Sequence, residues 1–278
     1  MRELVLDHLT APGATPVELI AAAREAGFGG VGLFLRGMRE VAGMADYDLV
    51  ADPGARRACR RAAEDAGCAI AIAYPFTVSR QSSVADFLPS LDAAAELGAK
   101  AVNLLVFDHE AARRAEIVGA VSSEAASRRI QPSVEFFPSS AVPGFVDAVA
   151  LCDAVGGDAL KITVDLLHVH RSGSSLTQIA VHRARLALLQ LCDAPAAAPA
   201  DLFAEASQAR LLPGEGDLDC RALLDACGPD VAVSVEAPSV EAAALSPGAL
   251  ARRAFGHVTC MMDGAAVAPT ERLPWRAP

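Results

Sequence analysis

Residues 7–16 read DHLTAPGATP, and they join the first strand-like run of the chain to its first helix-like segment. The run that they end, Glu3–Leu9, is mostly apolar, and the segment after them, Pro16–Ala26, has the spacing of an amphipathic helix. Thr15 before Pro16 is a typical helix start, because threonine caps the helix and proline suits its first turn. The connection contains no GxGxxG sequence, which a dinucleotide-binding open sheet needs after its first strand.

The same alternation of a short apolar run and an Ala-rich helical segment continues along the chain. Eight runs are strand-like, and most are continuously apolar, as expected for parallel strands that helices cover. They are Glu3–Leu9, Gly30–Leu35, Ala69–Phe76, Ala101–Phe107, Gln131–Phe137, Leu160–His168, Leu186–Asp193 and Val231–Ala237. Eight such units fit a closed barrel or a doubly wound open sheet, and the missing glycine turn favours the barrel. We therefore predict an α/β fold, a (β/α)8 TIM barrel.

The length of 278 residues exceeds the usual size of one domain, but α/β barrels routinely reach about 250 residues as one unit. No linker-like stretch divides the chain. We therefore predict a single domain over residues 1–278, with a core from about 3 to 257 and a C-terminal tail at 258–278. The longest irregular stretch, Ala194–Leu212, is typical of a functional loop or of a loop with a short helix of its own.

Composition narrows the class of protein. The net charge of −10 and the isoelectric point near 5.1 argue against a nucleic-acid-binding surface, which is usually basic. The seven cysteines form no CxxC pair, so reduced thiols in a reducing compartment are expected. No signal-peptide pattern starts the chain, and no apolar run reaches the ~18 residues of a membrane span. We expect a cytoplasmic protein with a small-molecule partner and without nucleic-acid or membrane partners, and a homo-oligomer stays open.

Polar side chains stand at the carboxyl ends of four predicted strands. They are Glu135 in SVEFFP, Asp165 in ITVDLLH, Gln190, with Asp193 after it, in LLQLCD, and Glu236 in VSVEAP. In a barrel these strand ends form the active-site face. Carboxylates gathered there repel one another unless a cation lies between them, and oxygen ligands favour a hard ion such as Mg²⁺ or Mn²⁺. Each acid alone fits a salt bridge to Lys161 or Arg210 equally well, but the set predicts a metal site.

Three basic residues follow Asp165 in the segment DLLHVHRSG: His168, His170 and Arg171. His168 suits proton removal beside a carbonyl, because histidine titrates near neutral pH. A fifth metal ligand or a helix cap is the alternative reading of this histidine. Arg171 is a candidate for binding anionic oxygens of a substrate.

A tight turn with the sequence PGEGD follows Arg210 by two residues. We expect this turn to present Arg210 at the mouth, where its fixed charge suits a carboxylate, phosphate or enolate oxygen, and Asp217 to cap the helix that begins near Leu218. An ordinary turn and cap is the alternative. Four more residues near the ends of strands one to four are candidates for lining a substrate pocket, or equally for packing: His8, Arg36, Tyr74 and Asn103.

In their order along the chain these motifs resemble a known family. The Glu of SVEFFP, the Asp-x-x-His of DLLH, the Gln-x-x-Asp of QLCD, R-x-x-PGEGD and the Glu of VSVEAP resemble the xylose isomerase-like TIM-barrel superfamily of sugar phosphate isomerases and epimerases. The resemblance implies Mn²⁺, Mg²⁺ or a similar divalent ion, with His168 near the substrate. The implied ligands are Glu135, Asp165, Gln190 and Glu236.

One position departs from the sugar epimerases of this superfamily, many members of which have histidine where this chain has Gln190. Glutamine there is similar to the branch that contains bacterial 3-dehydroshikimate dehydratases. An amide oxygen is a harder ligand than imidazole, so Mn²⁺ or Mg²⁺ is expected before Co²⁺ or Zn²⁺.

The leading hypothesis is a metal-dependent isomerase or epimerase that acts on a keto sugar, keto polyol or related hydroxy-ketone through an enediolate. His168 would move the proton, with Lys161 or Glu135 as alternatives, and Arg210 and Arg171 would bind anionic oxygens. The runner-up is a dehydratase of the 3-dehydroshikimate type, which starts from the same enolate. An endonuclease-like repair enzyme is disfavoured by only six histidines and the acidic charge. A non-enzymatic binding protein would keep its ligand without Glu135.

Overall fold

Eight parallel strands close into a barrel in the computed structural model, which describes residues 2–156, 159–240 and 245–264. Each strand pairs with the next along the chain, and β8 pairs with β1. The strands are β1 (Leu4–Asp7), β2 (Gly30–Phe34), β3 (Ala69–Val78), β4 (Ala101–Val106), β5 (Gln131–Glu135), β6 (Lys161–Asp165), β7 (Leu186–Leu191) and β8 (Ala232–Val235). The prediction of a (β/α)8 barrel is confirmed.

Helices cover the outside of the barrel between the strands. They are α1 (Pro16–Ala26), α2 (Pro53–Ala66), α3 (Val84–Leu97), α4 (Ala111–Ser127), α5 (Phe145–Ala154), α6 (Leu166–Ser172), α7 (Leu176–Val181), α8 (Leu202–Gln208), α9 (Cys220–Cys227) and α10 (Pro247–Met262). Helix α1 begins as predicted, with a capping box in which the Thr15 backbone N–H and hydroxyl each donate to Glu18 at 2.8 Å. Helix α8 is the short helix predicted inside the stretch 194–212.

Seven of the eight predicted strands end one to three residues earlier than the apolar pattern suggested, and three of them show the trend. Strand β1 ends at Asp7, β7 at Leu191, and β6 at Asp165 rather than at His168. The physical reason at β6 is a cap: Asp165 Oδ1 accepts the backbone N–H of His168 at 3.1 Å, so α6 starts directly after the strand. Apolar residues in the first turn of α6 continue the apolar run, which hides the boundary in the sequence.

The segment after β7 also corrects a predicted cap. Asp219, not Asp217, caps α9, since Asp219 Oδ1 accepts the N–H of Ala222 at 2.8 Å. Gly216 is required because a Cβ there would lie 2.5 Å from Asp193 Oδ1. The turn is anchored to α10 by Glu215, whose Oε1 lies 2.9 Å from Arg253 Nη2.

The predicted tail is helical where it is described. Helix α10 runs to Met262 and packs against α1, and Val258 is fully buried, so the core extends past residue 257. The rest of the predicted tail, residues 265–278, lies outside the described residues. None of the helices in the described ranges combines the length and the apolar character needed to cross a membrane.

Candidate active site and metal centre

Three strands bring the same three-residue pattern to the carboxyl end of the barrel. It consists of a hydroxyl residue, a valine and an acid, in 133–135 on β5, 163–165 on β6 and 234–236 at the end of β8. Because side chains alternate across a strand, the three valines pack in the main apolar core while the hydroxyls and acids face the barrel interior. All six polar side chains of the pattern are buried.

The hydroxyl layer supports Glu135 from below. Thr163 Oγ1 donates to Ser133 Oγ at 2.9 Å, and the single hydroxyl proton of Ser133 has two acceptors within reach, the Val102 backbone oxygen at 3.0 Å and Asn103 Oδ1 at 3.2 Å. The Asn103 amide in turn donates to Glu135 Oε2. This chain of hydrogen bonds across β6, β5 and β4 fixes the orientation of the Glu135 carboxylate.

Glu135, Asp165 and His168 offer ligand atoms that all lie within 4.8 Å of one another. His168 Nε2 is 3.3 Å from Glu135 Oε1, and its Nδ1 is 4.0 Å from Asp165 Oδ1. The ring of Phe137 packs against the imidazole with a centroid separation of 4.8 Å. An imidazole between two carboxylates can share a cation with them or exchange a proton with a bound molecule.

Arg210 supplies a buried positive charge to this cluster. Its Nη1 donates to Asp165 Oδ2 at 2.5 Å, and its Nη2 lies 3.4 Å from Glu236 Oε1. Burial by itself would raise the pKa of Asp165, but the charges of Arg210 and then His168 outweigh burial and hold that pKa below its usual value. The predicted place of Arg210 at the strand ends is therefore where the structure puts it.

Gln190 and Glu236 form the other side of the cluster. The Gln190 amide donates to Glu236 Oε2, and its nitrogen is 3.4 Å from the Tyr74 hydroxyl. Gln190 Oε1 is buried and has no hydrogen-bond partner among the described residues. Burial, reinforced by the charge of Asp7, raises the pKa of Glu236 well above its usual value.

Asp7 adds a fourth buried carboxyl that the sequence analysis did not single out. Burial, opposed by the Leu9 N–H that binds its Oδ1 at 3.0 Å, raises the pKa of Asp7 to about 7. Gly32 on β2 makes room for it, since a Cβ there would lie 2.6 Å from Asp7 Oδ2. The signal was present, because Asp7 ends the apolar run LVL just as the other acids end theirs.

These residues fit a divalent cation. The cluster holds four buried carboxyl side chains and one guanidinium: Asp7, Glu135, Asp165, Glu236 and Arg210. Burial and the charges of neighbouring carboxyls raise the pKa values of Asp7 and Glu236, and a divalent cation among the four carboxyls would offset this repulsion. Gln190 Oε1, which has no hydrogen-bond partner among the described residues, is the kind of oxygen ligand that a hard metal ion prefers.

A cavity of about 190 Å³ opens above the cluster. Glu135, His168, Arg210 and Glu236 are at its floor, together with Tyr74 and Asn103, two of the residues proposed from sequence to line a pocket. The walls are mainly hydrocarbon and include five phenylalanines, which the sequence analysis did not identify as pocket residues.

Arg171 and His8 do not reach this cavity, although both were predicted to bind substrate. Arg171 is buried and binds the Glu205 carboxylate and two backbone oxygens, so its donors are directed away from the floor. His8 Nε2 is 2.8 Å from the backbone oxygen of Ala14, and its Nδ1 is 3.3 Å from the Tyr47 hydroxyl. Both nitrogens of His8 therefore have protein partners.

Two weaker candidates also lie elsewhere. Lys161 begins β6, at the opposite end of the strand from Asp165, and its Nζ donates to the backbone oxygen of Ala184 at 3.0 Å. Arg36 is exposed, and its Nη2 reaches Ser90 Oγ at 3.3 Å. Neither residue lines the cavity.

Residues 20–257 match the family described as xylose isomerase-like TIM barrel. The chain belongs to this family. The match covers every strand except β1 and includes the whole acid cluster apart from Asp7. Among curated proteins, no sequence matches this xylose isomerase-like chain.

Solved structures of low sequence identity share the fold. A xylose isomerase-like TIM barrel/4-hydroxyphenylpyruvate dioxygenase fusion protein has a TM-score of 0.78 at 18% identity, over 96% of this chain and 45% of that one. This chain thus spans less than half of the fusion protein. The IOLI protein, solved with a zinc atom, has a TM-score of 0.77 at 16% identity, over 96% and 100% of the two chains.

Two similar structures carry the names of enzymes. The probable 3-DHS dehydratase AsbF from Bacillus anthracis has a TM-score of 0.71 at 14% identity, over 92% of this chain and 98% of that one. A D-psicose 3-epimerase solved in the presence of D-fructose has a TM-score of 0.70 at 15% identity, over 93% and 97%. At these identities the likeness shows the fold alone.

Proposed function

We propose that this protein is a metal-dependent enzyme that removes a proton beside the carbonyl of a hydroxy-ketone and returns it through an enediolate, as an isomerase or epimerase does. The observation that carries the proposal is the buried group of Glu135, Asp165 and His168 at the floor of a cavity at the carboxyl end of the barrel. The zinc atom of IOLI supports a metal-dependent enzyme, and the name of the D-psicose 3-epimerase supports the epimerase class.

Glu135 and Asp165 belong to both ligand sets that the cluster offers. One set adds His168, whose nitrogens lie nearest to the two carboxylates. The other, expected from sequence, adds Gln190 Oε1 and Glu236. The oxygen-rich set favours Mn²⁺ or Mg²⁺, whereas an imidazole ligand also suits Co²⁺ or Zn²⁺. When bound, such an ion supplies a Lewis acid that stabilises negative oxygens of the enediolate.

The residues of this chain supply the proton transfer. His168 has one nitrogen facing Glu135 at 3.3 Å, and Phe137 holds its ring in place, so it is oriented to carry a proton at the cavity floor. If His168 is a ligand together with Glu135 and Asp165, Glu236 is the carboxyl that this ligand set leaves free, and it lines the same cavity, so it is the alternative carrier. Arg210 can donate to an oxygen that becomes negative.

Apolar walls assist this chemistry because they limit access of water to the floor. An enediolate shielded from water is protected from stray protonation, and the buried charges around it act more strongly than in water. The same features allow a second reaction, a dehydration in which a β-hydroxyl leaves after the proton is removed. The similarity to a probable 3-DHS dehydratase supports this alternative. An ultraviolet-absorbing aromatic product from 3-dehydroshikimate would favour this dehydratase.

Metal content tests the proposal directly. After incubation with Mn²⁺ and dialysis, elemental analysis should give about one ion per wild-type chain and much less for Glu135→Gln. Glu64→Gln is the matched control, because it makes the same chemical change at an exposed ion pair with Arg60. A wild-type protein that retains no ion with Mn²⁺, Mg²⁺, Co²⁺ or Zn²⁺ would contradict the proposal.

Proton exchange tests the reaction without knowledge of the product. In D₂O, metal-loaded protein should replace the hydrogen beside the carbonyl of an accepted hydroxy-ketone, which proton NMR detects as signal loss. Glu64→Gln should retain this exchange, and Glu135→Gln or removal of the ion with a chelator should abolish it. Exchange that persists at the wild-type rate after chelation would contradict a metal-dependent enolisation.

A further inference from the structure

The cavity combines a polar floor with hydrocarbon walls. Five of the ten phenylalanines of the chain line it: Phe34, Phe76, Phe107, Phe137 and Phe203. They come from four adjacent strands, in β2 and β3 and at the ends of β4 and β5, and from α8, which follows β7. Met38 and Val41 extend it on the segment after β2.

Polar groups of the lining are concentrated at the floor, where most are already bound. Asn103 donates to Glu135, and Arg210 is engaged by two carboxylates. Away from the floor the lining contributes two hydroxyls, Thr77 and Ser207, and Ser207 Oγ donates to the backbone oxygen of Phe203 at 2.8 Å. The hydroxyls of a sugar placed against these walls would lose water without gaining a partner, which lowers affinity at each carbon.

The size of the cavity suits one ring. An apolar cavity of about 150 Å³ holds benzene, and this cavity measures about 190 Å³. The floor adds the groups that a carbonyl and an adjacent hydroxyl need. Aromatic rings gain from contact with other aromatic rings as well as from burial, and a phenylalanine-rich wall provides both.

We infer that the substrate is a hydroxy-ketone that carries an aromatic or similarly flat apolar body, and not a polyhydroxylated sugar. The inference rests on the proposed function for the polar end of the substrate, which the metal site and His168 would bind. The apolar body fills the cavity between Phe107, Phe137 and Phe203.

A pair of hydroxamates tests the inference, because both carry the same metal-binding head and differ only in the body. Benzohydroxamate has a phenyl ring, and acetohydroxamate has a methyl group. Calorimetric titration of Mn²⁺-loaded protein should give benzohydroxamate a dissociation constant roughly 10- to 100-fold lower, the gain expected from burying one ring. Binding of both with equal affinity would overturn the inference and leave the metal site standing.

Variants locate the effect. Phe107→Ala and the exposed-position change Phe203→Ala should each reduce the benzohydroxamate preference several-fold, and acetohydroxamate binding should stay the same. Phe203 is 60% exposed, so this variant is expected to fold. Val181→Ala is the matched control: Val181 is 74% exposed on α7, away from the cavity, and the preference should not change. A preference unchanged in both phenylalanine variants would overturn the inference.

A metal-independent probe separates failure of this inference from failure of the proposed function. Fluorine NMR of 4-fluorobenzyl alcohol with metal-free protein should show line broadening that weakens in Phe107→Ala and persists in Val181→Ala. Broadening without any hydroxamate binding would reject the metal-dependent function and retain the apolar site. Absence of both signals would reject both.

Discussion

Arg171 binds Glu205 through two hydrogen bonds, from Nε to Oε2 at 2.8 Å and from Nη2 to Oε1 at 2.6 Å. Both side chains are almost fully buried, and Arg171 also donates to the backbone oxygens of Pro195 and Ala196. The pair joins α6, which carries His168, to α8, which forms one wall of the cavity. Arg171 therefore supports the shape of the site without contacting its interior.

Glu205→Gln should lower the free energy of unfolding by about 3 kcal/mol, because it leaves a buried guanidinium without its counter-charge. Glu64→Gln, at the exposed pair with Arg60, should cost less than about 1 kcal/mol. Urea unfolding followed by circular dichroism measures both. Equal costs would show that the backbone oxygens alone satisfy Arg171.

Gln190→Leu should weaken Mn²⁺ binding about 10- to 100-fold, because it removes an unpartnered buried oxygen and the amide that orients Glu236. Ser234→Ala is the control on the adjacent strand, since Ser234 also has a buried, unpartnered oxygen but lies in the hydroxyl layer below the acids. Competition with a fluorescent Mn²⁺ chelator gives both affinities. An unchanged affinity of Gln190→Leu would assign the ion to Glu135, Asp165 and His168.

Gly32→Ala should destabilise the protein by about 1–3 kcal/mol, because its Cβ would lie 2.6 Å from Asp7 Oδ2 and 3.1 Å from the Tyr74 ring. Gly256→Ala makes the same change inside α10, where nothing lies within 4 Å, and should stabilise by up to about 1 kcal/mol. Thermal unfolding of the two variants therefore should give shifts of opposite sign. A neutral Gly32→Ala would mean that Asp7 moves at little cost.

His8 should make the protein less stable in acid. Burial lowers the pKa of His8 from 6.5 to about 4, although the bond to Ala14 opposes this. Between pH 4 and pH 6.5 the unfolded chain binds more protons at His8 than the folded protein does. The contribution of neutral His8 to the free energy of unfolding is therefore complete above about pH 6.5 and is lost as the pH falls towards 4. The wild-type protein should lose about 2 kcal/mol relative to His8→Gln between pH 7 and pH 5. Parallel pH profiles for the two proteins would contradict this.

The barrel was predictable because parallel strands buried on both faces leave continuous apolar runs that alternate with amphipathic segments. The residues at which the strands end were harder to predict. At Asp165 the strand gives way to α6 without a polar break, so the pattern carries no mark of the boundary. The cap of α9 was misplaced by two residues for a similar reason, since two acids, Asp217 and Asp219, both suit a helix start.

The acids of the candidate site were predictable, and the partners of the basic residues were not. An acid after an apolar run indicates a buried carboxyl whatever its neighbours are. Where an arginine or histidine points depends on contacts far away in sequence, such as Arg171 with Glu205 or His8 with Tyr47. The phenylalanines of the cavity wall could not be predicted from the sequence either. They are dispersed over residues 34–203, and the pattern around each one indicates a core residue.

Arg210 belongs to the wall and to the floor of the cavity at the same time. Its Nε donates to the backbone oxygen of Ala206 in α8 at 2.7 Å, while its Nη1 holds Asp165. A shift of α8 therefore carries the guanidinium with it and changes how much negative charge is left uncompensated below. The access to the cavity and the electrostatic potential at its base consequently both depend on the position of α8. A bulky molecule that displaced α8 would therefore change the electrostatic potential around its own polar end.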